Sequence, residues 1–121
     1  DLQSVTMLEH ICQVARNTPH LSHWLPTKEW RTVKQFVEGG GKFPKNLCVR
    51  VSGLYKDGGP PRGFAEAYGV TTSDVLNGKD FDKLKQVRPV FKCPSSKQDN
   101  ACKDCIACYK NSVKNVTYRF H

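Results

Sequence analysis

Six cysteines are the residues of this 121-residue chain best suited to chemistry, and their spacing is uneven. Cys12 and Cys48 stand apart. Cys93, Cys102, Cys105 and Cys108 fall within one window, three of them as Cys102-x-x-Cys105-x-x-Cys108. Disulfide scaffolds spread cysteines so that each bond closes a long loop, where the unfolded chain loses most entropy. Sulfurs two residues apart instead gather round a point, as thiolates do round a metal. Cys93 is followed by Pro94. A C-x-x-C-x-x-C run with a Cys-Pro is the pattern of thiolates on a [4Fe–4S] cluster, here with the Cys-Pro upstream. Zinc also accepts four thiolates tetrahedrally, usually from two separated C-x-x-C knuckles. The expected ligands are Cys93, Cys102, Cys105 and Cys108, on a [4Fe–4S] cluster or alternatively on Zn2+. Disulfides or free thiols are the third reading. Four thiolate ligands leave no position for water, which disfavours hydrolytic metal catalysis and favours a structural or electron-transfer role. Thiols used in this way imply a reducing compartment, the cytoplasm.

Other residues offer weaker chemistry. His20 and His23 lie three positions apart, which on a strand means opposite faces and no shared metal. Ligands of α/β folds bind at the carboxyl ends of parallel strands. His23, with Thr27, Lys28 and Glu29 after the first expected strand, and Ser52 and Tyr55 after the second, are therefore candidate ligand-binding residues. Trp24, Trp30, Tyr55 and Tyr68 have the flat faces on which bases stack, although both tryptophans suit a core better. Lys92, Lys97, Lys103, Lys110 and Lys114 surround the cysteine window; they offset thiolate charge or hold phosphates, or are simply solvated. Cys12, on the apolar side of a helix, reads as a core thiol.

The elements that must position these residues follow from periodicity. Leu2, Val5, Leu8, Ile11, Cys12, Val14 and Ala15 recur at helical steps, predicting a helix over 2–17 with Asp1 as N-cap. Asn17-Thr18-Pro19 ends it, because a residue before proline avoids helical angles. Leu21 to Leu25 is a candidate strand. Thr27 is the expected N-cap of a helix over 28–38, buried through Trp30, Val33, Phe36 and Val37 and stopped by Gly39-Gly40-Gly41. Leu47 to Leu54 alternates apolar and polar residues and reads as a strand. Strand, helix and strand at this spacing make a βαβ unit with parallel strands and a right-handed crossover. Residues 56–61 form a loop. Over 62–90 the pattern is ambiguous: Phe64 to Tyr68 suits one helical turn, Thr71 to Leu76 an extended piece or a capped turn, and Asn77-Gly78 a turn. Ser112 to Phe120 suits an edge strand.

The fold class expected is α/β: a small βαβ-containing domain, either a partial barrel or an open sheet, over 1–90, with a Cys-rich metal-binding segment over 91–121 packed on it. Two strands and two helices make a thin core. A metal centre would supply the missing stability, as in other small metallo-domains, and an unpaired strand edge favours self-association into a homo-oligomer.

Composition narrows the function. Lys and Arg total 19 against 11 Asp and Glu, a formal net charge of +8. Four thiolates around a divalent centre lower that to about +6, which still favours a nucleic-acid or acidic protein partner. No run of about 20 apolar residues exists to cross a membrane. The chain starts at Asp1 rather than Met, which suggests a cleavage product or an excised piece.

Several runs resemble a known family. Val49-Arg-Val-Ser-Gly-Leu-Tyr55, Phe91-Lys-Cys-Pro-Ser-Ser-Lys-Gln98, the Cys102-x-x-Cys-x-x-Cys-Tyr109 run and Val116-Thr-Tyr-Arg-Phe-His121 are similar to the C-terminal half of the phage gene product 88-like proteins, which are uncharacterised. Asp1-Leu2 and His23-Trp-Leu-Pro-Thr-Lys-Glu29 resemble the middle of those proteins. The resemblance implies a phage protein acting in the host cytoplasm. It also implies a partial (β/α) barrel distantly like radical-SAM enzymes, with longer members carrying a further cysteine-rich half. Two functions follow as expectations. One is a metal-binding protein that binds a host protein or nucleic acid, with the four-cysteine site structural. The other is the C-terminal part of a radical-SAM-like enzyme holding an accessory cluster.

Overall fold

Alternation along one strand shows how the chain divides its surfaces. In β2 (Leu47–Ser52), Leu47, Val49 and Val51 point one way and Cys48 and Arg50 the other, yet all five are buried. A strand covered on both faces is the mark of a parallel sheet with layers on each side. The computed structural model describes residues 2–84, 90–98 and 105–120. Among them, β1 (His23–Thr27), β2, β3 (Thr71–Leu76), β4 (Val90–Lys92) and β5 (Asn115–Arg119) form one open sheet in the order β1-β2-β3-β5-β4. Every neighbouring pair is parallel. The protein is thus mixed α/β with an open parallel sheet.

The helices α1 (Val5–Asn17), α2 (Trp30–Glu38), α3 (Arg62–Tyr68) and α4 (Gly78–Lys83) share one face. Leu8, Cys12 and Ala15 of α1 and Val33 and Phe36 of α2 join Leu47, Val49 and Val51 in a single apolar core, with Phe64 and Ala65 of α3 against it. Cys12 is wholly buried there as a core thiol, and burial pushes its pKa up. α4 lies over β5, where Arg119 meets Asp82 at 3.3 Å.

Topology explains what covers the other face. The chain steps in one direction from β1 to β2 to β3 and on to β4, leaving a gap that β5 later fills. Right-handed crossovers in one direction put every helix on the same side; the return from β4 to β5 reverses direction and puts its connection on the opposite side. The described end of that connection, from Ala107 to Val113, lies there and carries Cys108.

The βαβ expectation holds: β1 and β2 pair in parallel from His23↔Leu47 to Thr27↔Val51. Several boundaries differ. α1 begins at Val5 with Ser4 as its cap; Ser4 Oγ accepts from Met7 N–H at 3.1 Å. The expected cap, Asp1, lies outside the described residues. β1 is displaced to His23–Thr27 and includes Pro26, which an edge strand tolerates because no neighbour needs its N–H. Thr27 therefore closes a strand, and its Oγ1 accepts from Glu29 N–H at 2.9 Å, with α2 starting only at Trp30. The ambiguous stretch supplies α3, β3 and α4. Asn77 is a helix cap, its side chain accepting from Asp80 N–H at 2.9 Å. β5 is an interior strand rather than an edge strand, seated between β3 and β4.

Leu8 has no exposed surface, whereas Val14 on the same helix is 56% exposed. Leu8→Ala is expected to cost about 2–5 kcal/mol through lost transfer energy and the cavity left behind. Val14→Ala is expected to stay within about 0.5 kcal/mol. Urea denaturation of the two variants checks this.

Candidate functional site

On the face away from the helices, a single guanidinium organises the surroundings. Arg50 is fully buried. Its Nη1 donates to Thr72 O at 3.0 Å and Val113 O at 2.9 Å. Its Nη2 donates to Lys110 O at 3.1 Å, Ala107 O at 3.3 Å and Cys48 Sγ at 3.4 Å, and its Nε reaches Cys108 O at 3.4 Å. Four of those carbonyls belong to the segment entering β5, so the side chain clamps that segment to the sheet. No carboxylate pairs with Arg50 among the described residues, where the one ion pair is Arg119–Asp82. A buried cation without a counter-charge is costly, and carbonyl dipoles recover only part of the lost hydration.

The described cysteines of the window lie around this clamp. Cys93 follows β4 directly, at the carboxyl edge of the sheet where α/β folds place their ligands; its N–H donates to Thr117 O at 2.8 Å and its Sγ to Ser95 Oγ at 3.3 Å. Cys108 lies in a short 3-10 turn, Ala107–Tyr109, with Sγ 3.0 Å from Tyr118 Oη. Tyr109 of the same turn meets Trp24 edge-on at 5.8 Å. Trp24 is half-buried and its Nε1 has no hydrogen-bond partner among the described residues. Cys93, Cys105 and Cys108 are each half-buried and free, as are the buried Cys12 and Cys48, so the described residues contain no disulfide.

Electrostatics ties the sulfurs together. Burial is the largest influence on Cys108 and pushes its thiol up; the Tyr118 hydrogen bond and the Arg50 charge pull it down, and Cys93 and Cys105 push it up again. Tyr118 is pushed far above the usual phenol range, chiefly by burial and then by its bond to Cys108. It keeps its proton, so its hydroxyl is the donor to a Cys108 thiolate. Cys108 thus resists ionisation unless a cation replaces its proton.

The expected residues do not all meet. Cys102 lies outside the described residues. Among the described residues, no three His, Cys, Asp or Glu side chains stand close enough to hold a metal ion. His23 begins β1, so it sits at the amino end of the sheet, its Nε2 2.8 Å from Thr18 Oγ1. Lys28 and Glu29 follow β1 and Ser52 closes β2, both at the carboxyl end; Ser52 Oγ is 3.0 Å from Ser73 Oγ, and Tyr55 is 76% exposed. Sequence reasoning singles out neither Arg50 nor Tyr118. Arg50 was visible as a lone charge inside Leu47–Val51, but simple alternation assigns that position to solvent. Tyr118 carried no signal, because its value depends on a strand placement that the sequence left open.

Fold and site together define an open parallel α/β domain with a cysteine-rich crossover clamped to one face of its sheet. Residues 1–112 match the model of the family described as gene product 88, and the chain belongs to that phage protein family. The closing Val116–His121 run lies beyond the match. No curated protein and no solved structure matches the chain. The distant likeness to radical-SAM barrels finds no support in these comparisons.

Arg50→Leu removes the guanidinium donors from the Ala107, Cys108, Lys110 and Val113 carbonyls, leaving Ala107 O and Lys110 O only their backbone partners Lys110 N–H and Val113 N–H. A loss of roughly 3 kcal/mol or more is expected in urea denaturation, with faster proteolysis near the cysteine window. Arg50→Lys is expected to rescue little, because one ammonium cannot replace a planar fork. For the reduced, metal-free protein the pH dependence has a definite sign. Cys108 and Tyr118 hold protons in the native state that the unfolded chain releases, so stability is full below the ordinary thiol range and falls as pH rises through it. Urea midpoints measured from about pH 7 to about pH 10 check that slope.

Proposed function

We propose that this gene product 88 family member is a metal-binding protein whose Cys93, Cys102, Cys105 and Cys108 hold a [4Fe–4S] cluster, with Zn2+ as the second choice. The observation that carries this reading is the buried Arg50 charge beside Cys108, without a carboxylate to offset it among the described residues. A centre with four thiolates is anionic overall and would supply the missing counter-charge. The donor types suit such a centre: Cys93, Cys105 and Cys108 are free and half-buried, and Cys93 and Cys105 both act on Cys108 electrostatically, although the three would have to draw closer to share one ion.

Bound there, the cluster would supply one-electron redox chemistry, or zinc a rigid crosslink. The chain's own residues have separable tasks. The cysteines ligate, Arg50 fixes the backbone on either side of Cys108, and Tyr118 donates to the Cys108 sulfur, which draws off charge and tunes the site. Trp24 and Tyr109 pack an aromatic pair over the clamped turn. The site serves structure first: it pins the crossover that leads into β5. Free thiols among the described residues suit a reducing cytoplasm, that of the host cell for a phage protein. The excess of 19 basic over 11 acidic residues favours an anionic partner, nucleic acid before a host protein.

Metal and sulfide analysis of anaerobically purified protein tests the reading. Roughly four irons and four sulfides per chain, with visible absorption that disappears in Cys105→Ser, are expected. One colourless zinc per chain, lost in the same variant, would make the site a structural zinc centre. A chain that carries neither, and whose stability is unchanged by a chelator, would overturn it.

A further inference from the structure

A second site stands on the helical face, at the amino ends of β2, β3 and β5. A cavity of about 610 Å3 opens there between the loop before β2, one side of α3 and the turn before β5. Its size is that of a small-molecule pocket. Phe43, Val49 and Val70 give it apolar walls, and Thr72 and Asn115 a polar patch. Lys45, Arg62 and Lys114 line it with a single carboxylate, Glu66. All three cations are exposed, and none forms an ion pair among the described residues.

Each feature selects the ligand. Three cations against one carboxylate over a concave apolar wall concentrate positive potential and attract an anion. Arg62 offers a planar fork suited to phosphate oxygens, and the lysines offer point charges. Phe43 is stacked on Phe36 with centroids 4.9 Å apart and rings 28° from parallel, which makes it a fixed aromatic wall. A flat ring with phosphates attached uses both properties. We propose that this cavity binds a nucleotide phosphate, with the base against Phe43 and the phosphates among Lys45, Arg62 and Lys114. The buried Thr72 and Asn115, joined by a 2.6 Å hydrogen bond, form the polar patch beneath. The site uses none of the cysteines, so it stands or falls separately from the metal reading.

Titration calorimetry of the full chain with ATP, and separately with a 5′-phosphorylated single-stranded hexanucleotide, tests the proposal. At least one is expected to bind in the micromolar range and to weaken with added salt. The double variant Arg62→Gln, Lys114→Gln is expected to lose roughly tenfold or more in affinity. Lys79→Gln, an exposed change on α4, is expected to lose none. Binding of ATP alone marks a free nucleotide as the ligand, and binding of the strand alone marks a nucleic-acid end. Because Arg62 and Lys114 are exposed, the double variant should melt like the parent; if it does not, Lys45→Gln alone supplies the comparison. Absence of binding by both probes, or binding that these substitutions leave unchanged, overturns the proposal.

Discussion

The buried guanidinium of Arg50 is the constraint on which the unhelical half of the molecule depends. The helical face is held by ordinary apolar packing, in which Leu47, Val49 and Val51 meet α1 and α2. The other face has no such layer among the described residues. A crossover with little regular structure has many carbonyls and few apolar side chains to bury, so packing alone would hold it poorly. Arg50 answers that shortage from within the sheet: it spends its donors on Ala107, Cys108, Lys110 and Val113 carbonyls rather than on a carboxylate. Among the described residues the clamp satisfies hydrogen bonds but not charge. What remains is a site biased toward an anionic neighbour, beside a Cys108 thiol that burial pushes up.

Strand order decides which groups reach this clamp. Had β5 followed β4 outward along the sheet, a right-handed connection would have placed the cysteines among the helices. Turning back to fill the gap beside β3 carries them to the opposite face. The same turn makes β5 interior, so Tyr118 falls beneath the cysteine turn while its neighbours Thr117 and Asn115 face the helices, hydrogen-bonded to Asp74 at 2.7 and 3.0 Å. One strand thereby serves two unlike surfaces by alternation alone.

Sequence patterns carried the helical half well. Helical spacing in α1 and α2, and alternation in β2, follow from local geometry and survive in the fold with shifted ends. The ends shifted for local reasons as well: the Ser4 hydroxyl caps α1 at Met7 N–H, and pairing with β2 draws Pro26 and Thr27 into a strand. What periodicity could not read was the second half of the sheet. Thr71–Leu76 is a polar strand, TTSDVL, yet its first four residues are buried, because neighbouring side chains satisfy it: Thr72 bonds Asn115, Asp74 bonds Thr117, and Ser73 meets Ser52. Such a strand has no apolar signature until its partners are known. For the same reason the cysteine spacing pointed to a candidate site but not to Arg50, a charge that alternation assigns to water and topology buries.

The segment from Ala107 to Lys114 also joins the two ends of the molecule. Its carbonyls at Ala107, Cys108, Lys110 and Val113 are held by Arg50 on the thiol face. Its side chains at Asn111 and Lys114 line the cavity on the helical face, and Lys114 O accepts from Thr72 N–H at 2.9 Å. Five residues separate Cys108 from Lys114, which leaves little slack between them. One short connection must therefore leave the thiol face, pass the edge of the sheet and enter β5 in register between β3 and β4.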